Sequence, residues 1–347
     1  MKKLRVFVSM VLLASMISLT ACGSKAATEN KNNAKETSTE ETAKDSQKTE
    51  EKKASYPLTI KDDLKNEVVL KEKPKKIAAI SNTYLDILYA AGGKSIVRTD
   101  SKNPNLPKEI KDLESVGAVY NVDVEKLISL KPDLVISQFG LQNKIVPILQ
   151  KSNIPVISLN MKSYDDVVEK LKLMGQITEN EDKVEKIIND MNSKKEELTK
   201  KLPKKPKKVA ILYVNGKGVL TKLDNSLAGN VAKELKLDNM SSGLKPEKMG
   251  SENAPFSMEK IVESNPDVIL VTTMVSSREK AEQCIKKNLE SNPAWKELKA
   301  VKENKMVFLP QSHFLSNPGD KYVESIEFMA RAVYPEVYGN VEEMGIK

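Results

Sequence analysis

Catalysis needs acids, bases or nucleophiles within reach of one another, and this chain offers few. It has one histidine, His313, and no Gly-x-Ser-x-Gly elbow, so a Ser-His-Asp relay built on His313 has no supporting spacing. A receptor for bare zinc or manganese usually needs several imidazoles, which argues against that metal class. Gly216-Lys-Gly218 lacks the Gly-x4-Gly-Lys-Ser/Thr spacing of a phosphate loop. Two cysteines, Cys22 and Cys284, are too few for a disulfide framework. The residue types point to binding, not to an enzyme.

The elements around these residues begin with an address. Lys2, Lys3 and Arg5 precede an apolar run from Val6 to Leu19, too short for a comfortable membrane span and typical of an export signal. Leu19-Thr-Ala-Cys22 has the form of a lipobox, in which cleavage leaves Cys22 as the lipid-modified first residue. From Gly23 to Ser55 there is no Val, Ile, Leu, Met or aromatic residue, so this segment is expected to be a disordered tether. As a flexible coil it would span about 30 Å on average. The net charge of +8 is spread over Lys-rich stretches with acidic neighbours. That pattern, without basic–aromatic interleaving, argues against a nucleic-acid partner. Once Cys22 is lipidated, Cys284 has no partner and is expected to be an idle thiol.

The folded part says one phrase twice. Val122-Asp-Val-Glu-Lys-Leu-Ile-Ser-Leu-Lys-Pro-Asp-Leu-Val-Ile-Ser137 returns 134 positions later as Phe256-Ser-Met-Glu-Lys-Ile-Val-Glu-Ser-Asn-Pro-Asp-Val-Ile-Leu-Val271. Lys73-Pro-Lys-Lys-Ile-Ala-Ala-Ile80 has a similar echo, 132 positions on, in Lys205-Pro-Lys-Lys-Val-Ala-Ile-Leu212. Two matches at nearly one offset imply two similar lobes. Short apolar runs at 77–80, 134–136, 156–159, 209–214, 268–271 and 306–309 alternate with helical patterns, the signature of mainly parallel α/β sheets. Ser81 and Asn82 can cap a helix that Gly92-Gly93 closes, and Asp123 can cap the helix of the first phrase. Tyr56 to Leu70 reads as a hairpin, and 101–107 as a Pro- and Asn-rich loop. The stretch 163–202 has no proline and a run of Val184, Ile187, Ile188, Met191 and Leu198 at helical spacing. It predicts one long connecting helix or two nearly continuous ones. The expected organisation is a signal peptide at 1–21, a tether at 22–55, an N-terminal lobe at 56–162, the connecting helix at 163–202 and a C-terminal lobe at 203–347. A ligand would sit between the lobes, at the carboxyl ends of the strands.

The lipobox, the Leu58-Thr-Ile-Lys-Asp-Asp opening, Lys73-Pro-Lys-Lys-Ile77, Val116-Gly117 and the doubled Glu-Lys…Pro-Asp phrase together resemble the substrate-binding lipoproteins of iron-complex ABC importers. The resemblance covers Tyr56 to the C-terminus. It departs at Lys65-Asn66, where the family often has a glycine. It implies a periplasmic-binding-protein type of fold, with a rigid helical spine and limited hinge closure. It also implies a monomer lipid-anchored on the extracellular face of a Gram-positive-type membrane, with an ABC permease and its ATPase as partners. Such proteins dock on arginines of the permease through one glutamate per lobe, and Glu125 and Glu259 stand at matching positions. A glutamate in a first helical turn is also favoured by the helix dipole alone.

Val116-Gly-Ala-Val-Tyr120 and Ile269-Leu-Val-Thr-Thr-Met274 look most like heme receptors of Gram-positive surface uptake systems. By that resemblance Tyr120 stands where those proteins place a methionine ligand to heme iron, and Met274 where they place a histidine. Neither residue type matches, although tyrosinate and thioether are both known axial ligands. His313 is an alternative ligand. Asn82 and Tyr84, at the first helix N-terminus, could hydrogen-bond ligand oxygens. The expected ligand is a transported iron complex and not a cofactor: heme first, then a ferric siderophore, then cobalamin. A surface adhesin or sensory lipoprotein on the same fold is the rival of a different class.

Overall fold

The computed structural model describes residues 55–100, 108–275 and 277–346. The signal peptide, the lipidation site Cys22, almost all of the tether and the 101–107 loop expected from sequence lie outside the described residues.

The chain opens with an antiparallel hairpin, β1 (Leu58–Lys61) and β2 (Glu67–Leu70). Lys65, in the turn between them, takes the left-handed conformation with φ 69°. Asp62 holds that turn, accepting the Asn66 N–H at 2.7 Å and the Ser158 N–H at 3.1 Å. There follow β3 (Ile77–Ala79), α1 (Asn82–Ala90), α2 (Val124–Ser129), β4 (Leu134–Gln138), α3 (Val146–Lys151) and β5 (Val156–Leu159). β3, β4 and β5 form a parallel sheet in the order 3-4-5. Their residues are almost all buried, as expected of parallel strands covered on both faces.

Two helices then link this sheet to the next, α4 (Tyr164–Thr178) and α5 (Glu181–Lys200). Of the two expectations for 163–202, the single long helix is corrected: there are two helices, separated only by Glu179 and Asn180, and they do not run on in line. The chain folds back at Glu179, whose φ is 55°. Tyr164 at the start of α4 thereby reaches Asn192 in α5, with 2.8 Å between hydroxyl and amide oxygen. In one straight helix those residues would be about 42 Å apart. Gly175 permits the fold, because a Cβ there would lie 3.2 Å from Val184 and 3.3 Å from the Glu181 backbone.

The second sheet contains β6 (Lys208–Asn215), β7 (Gly218–Lys222), β8 (Asn253–Pro255), β9 (Val268–Thr273) and β10 (Met306–Phe308). Around it lie α6 (Leu227–Glu234), α7 (Met258–Ser264), α8 (Arg278–Ile285), α9 (Gln311–Phe314) and α10 (Tyr322–Val333). β6, β9 and β10 are parallel neighbours. They repeat the β3-β4-β5 arrangement: Ile77 pairs with Leu134 in the first sheet, and their echoes Val209 and Val268 pair in the second. The duplication read from the sequence is thus a duplication of three-stranded parallel units. β7 and β8 add an antiparallel edge that has no counterpart in the first sheet.

Alternate residues of each strand enter different cores. Ile77, Ala79, Leu134 and Ile136 share a core with Val209, Ile211, Val268 and Leu270, and α4, α5 and α10 pack into it. Ala78, Ile80 and Val135 face a separate outer core, as do Ala210, Leu212 and Ile269 on the second sheet. The two sheets therefore share one apolar core along the helical side. No helix among the described residues is long and apolar enough to cross a membrane.

Candidate ligand-binding cleft

The carboxyl ends of β4 and β5 stop at Gln138 and Leu159, and the next residues turn toward the second sheet. A cleft of about 320 Å³ opens there, walled on one side by Thr83, Tyr84, Phe139 and Lys162, and on the other by Leu227, Glu252 and Asn317. That volume lies at the small end of ligand pockets. A larger groove of about 690 Å³ runs between α5 and the start of α10, lined by Asp190, Lys194, Glu197, Lys321 and Glu327 among others. It follows the charged edges of two packed helices, away from the strand ends, so the smaller cleft is the better candidate.

The cleft walls are held by polar contacts between the two halves. Asn317 donates from Nδ2 to the Met161 carbonyl at 3.1 Å, and the Tyr322 hydroxyl donates to the Lys162 carbonyl at 3.1 Å. Gln142 anchors the N-terminal wall: its Nε2 donates to the carbonyls of Ile80 (2.7 Å) and Val119 (2.9 Å), while its Oε1 accepts the Gln138 N–H at 2.7 Å. Ser81 occupies the N-cap position of α1, yet its hydroxyl makes no cap and donates to Gln138 Oε1 at 3.0 Å. A residue expected to cap a helix instead ties that helix to the cleft floor.

Charge concentrates at one point. Lys162 follows β5, and its Nζ lies 2.5 Å from Glu252 of the second half. The other oxygen of Glu252 lies 3.5 Å from Lys222 Nζ. Lys222 is buried, and its ammonium sits 4.8 Å from the centre of the Tyr213 ring, within cation–π range. Burial pulls the Lys222 pKa below that of an ordinary lysine, and the Glu252 carboxylate only partly opposes this. Burial, reinforced by Glu252, pushes the Tyr213 phenol up.

Of the residues singled out from sequence, Tyr84 lines this cleft. It is 2% exposed and its hydroxyl donates to the Leu159 carbonyl, so it serves as wall and strand-end anchor. Asn82 begins α1, and its amide oxygen is 3.4 Å from the Thr99 hydroxyl. Tyr120 lies in the turn of a small hairpin, Gly117–Ala118 against Asn121–Val122, and is 78% exposed. Met274 follows β9 and is 66% exposed. His313 is buried in α9, between the Ser312 hydroxyl at 2.9 Å and Glu324 at 3.2 Å. None of these last four is among the residues lining the cleft. No cluster of three or more His, Cys, Asp or Glu suited to a metal ion occurs among the described residues. Cys284 is half-buried and free.

Sequence reasoning missed Lys162, Lys222, Glu252 and Gln142. Two signals were available. Lys162 comes three residues after the end of β5, in the region where open α/β sheets bind ligands. Asn215-Gly216 is a hairpin signal for β6–β7, and Asn215 Oδ1 indeed accepts the N–H groups of Lys217 and Gly218.

Comparison with known proteins agrees with this architecture. An ABC transporter substrate-binding lipoprotein of Bacillus subtilis, YvrC, is 27% identical over 301 residues, 84% of this chain and 90% of its own length. The iron-uptake system-binding protein of the same organism is 28% identical over 312 residues, 86% of this chain and 89% of its own. The crystal structure of Staphylococcus aureus IsdE complexed with heme superposes with a TM-score of 0.63 at 21% identity, covering 74% of this chain and 98% of that one. These relatives are binding proteins and not enzymes. The family model for periplasmic binding proteins matches residues 77–313, more than half of the chain, and the protein belongs to that family.

Proposed function

We propose that the protein is the receptor of an ABC importer for an iron complex, with heme as the leading ligand. The observation that carries this reading is the amphipathic character of the cleft. Its lining holds the Lys162 ammonium, with the buried Lys222 ammonium behind Glu252, and apolar side chains lie in or beside it in sequence. Phe139 lines it at 38% exposure, Leu141 is two residues on at 46%, and Met249, beside the lining Gly250, is 98% exposed. Exposed apolar groups next to a recess mark binding surfaces. A flat apolar ring system with acidic substituents fits both features. Tyr120, Met274 and His313 are the candidate iron ligands, and the exposure of the first two leaves them free to meet a ligand entering from solvent. Tyr84 lines the cleft, and Asn82 begins the same helix as a further candidate for ligand oxygens.

The protein binds and hands over its ligand without turning it over. Lipidation at Cys22 would hold it on the outer membrane face, as a monomer. The exposed carboxylates of Glu125 and Glu259 would meet basic residues of the permease, which works with its ATPase.

A hemin titration of the unlipidated chain tests the reading. Saturable binding with a Soret shift is expected at micromolar hemin, and its absence removes the heme reading. Where hemin binds, the spectra of Tyr120→Phe, Met274→Ala and His313→Ala identify the ligands, and three unchanged spectra reject all three residues. The lysine pair also favours a second reading, an anionic ferric siderophore, because catecholates and carboxylates pair well with buried cations.

A further inference from the structure

Glu252 takes the place in the cleft that an anionic ligand would need. It bridges Lys162 at 2.5 Å and Lys222 at 3.5 Å, and among the described residues no other carboxylate lies within ion-pair distance of either lysine. The two lysines come from different halves of the protein. Lys222, with 8% of its side chain exposed, is a buried ammonium whose one counter-charge is shared and long. Glu252, by contrast, has a side chain 30% exposed and directly precedes β8, so its side chain can swing toward solvent without disturbing the sheet. Two ammonium groups around one carboxylate, Lys162 in the cleft lining and Lys222 buried behind Glu252, leave a net positive charge at this point. Burial strengthens the pull of that charge on a further anion.

We infer that Glu252 is a built-in surrogate for the ligand. An anionic oxygen group of the incoming complex, a carboxylate or a catecholate, displaces Glu252 from Lys162 and Lys222 and takes over both cations. This rests on the receptor reading and deepens it: the accepted complexes are those carrying an exposed anion, and uncharged complexes are rejected because they leave Glu252 in place. Selection then arises from exchange, in which only a ligand that outcompetes an internal carboxylate gains entry.

The test uses the full unlipidated chain and two matched pairs of probes. Hemin is paired with its dimethyl ester, and a ferric tris-catecholate with an uncharged ferric tris-hydroxamate. Glu252→Gln keeps the shape of the side chain and removes its charge. It is expected to tighten the anionic probe that binds by about tenfold, while leaving the uncharged partner within about twofold. Lys162→Met is expected to weaken the same anionic probe by about tenfold. If the wild type binds an anionic probe and Glu252→Gln leaves it unchanged or weakened, the exchange is overturned and the receptor reading stands. If neither wild type nor Glu252→Gln binds any probe, both fall. Should Glu252→Gln fail to fold, Lys162→Met, whose side chain is 34% exposed, decides through loss of the anionic preference.

Discussion

Asp133 holds the backbone of Lys76, its two carboxylate oxygens lying 2.9 and 3.0 Å from that N–H while one of them also accepts the Lys75 N–H at 2.7 Å. The second half repeats the device, with Asp267 accepting the Lys208 N–H at 3.0 Å. The two echoes noticed in the sequence, Lys-Pro-Lys-Lys and Pro-Asp, are therefore two sides of one clamp. In each sheet the aspartate precedes one strand and satisfies N–H groups at the start of its parallel neighbour, which the ladder leaves unpaired. The preceding prolines, Pro132 and Pro266, are buried and have no N–H of their own to satisfy.

Asp133→Ala and Asp267→Ala are accordingly expected to destabilise the fold by about 1–2 kcal/mol each, since the lost bonds are charge-assisted but partly reached by water. The clamps sit in separate sheets, so the double variant should lose about the sum. Urea unfolding of the two single variants and the double checks this. Wild-type midpoints would reduce the repeated Pro-Asp to a passive turn.

Asp267 also sets a pH dependence. Burial raises its carboxyl pKa, but the hydrogen bonds and charge of Lys299, at 2.7 Å, and the Lys208 N–H outweigh that and leave it below the ordinary range. A carboxylate with a depressed folded pKa stabilises the protein above its unfolded value, about 3.9, and loses that contribution as pH falls through the folded value. The gap in stability between wild type and Asp267→Asn should thus be present at pH 7 and close below about pH 4. A gap that widens on acidification would contradict the assignment.

Much of this was legible beforehand because buried parallel strands are short apolar runs. Ile77-Ala-Ala79, Leu134-Val-Ile136 and Val209-Ala-Ile-Leu212 announce themselves, and the repeat fixes their pairing. β7 and β8 were not legible: Gly-Val-Leu-Thr-Lys and Asn-Ala-Pro have no period, and pairing of β7 with β6 and of β8 with β7 is what makes them strands. The fold-back at Glu179 was hidden for a related reason. A non-glycine residue in the left-handed region reflects packing around Gly175 and Asn180, and leaves no pattern in the apolar spacing. The cleft's ion triad joins Lys162 to Glu252 across 90 positions and depends on the unread strands, so its residues look like ordinary solvated charges in sequence.

Gly229 is a sharper test of the cleft wall. It sits in the first turn of α6, where its N–H donates to the Ser226 cap at 3.0 Å. A Cβ there would lie 2.2 Å from the Leu223 carbonyl oxygen and 2.7 Å from the Asp224 Cα, both backbone atoms that cannot rotate away. Gly229→Ala must push α6 off this loop, costing on the order of 3 kcal/mol, and Leu227 moves with it out of the cleft wall. A lowered melting temperature together with weaker hemin binding is expected. Unchanged melting would mean the helix sits further from the loop than described.

The docking role proposed for Glu125 and Glu259 predicts a separation of binding from transport. Both residues are exposed in the first turns of matching helices, α2 and α7. Those helices keep their caps without them, because Asp123 accepts the Lys126 N–H at 2.9 Å and Ser257 the Lys260 N–H at 3.2 Å. Removing each carboxylate costs only its interaction with the helix dipole, about 0.3–1 kcal/mol. Neither glutamate lines the cleft, so ligand affinity has no reason to change. The double variant Glu125→Ala, Glu259→Ala should therefore fold, bind hemin as the wild type does, and deliver none of it to cells that carry the permease. Uptake of labelled ligand by such cells is the deciding measurement. Uptake at the wild-type rate would leave the two glutamates as helix-start residues alone, and would send the search for the permease surface to other parts of the repeat.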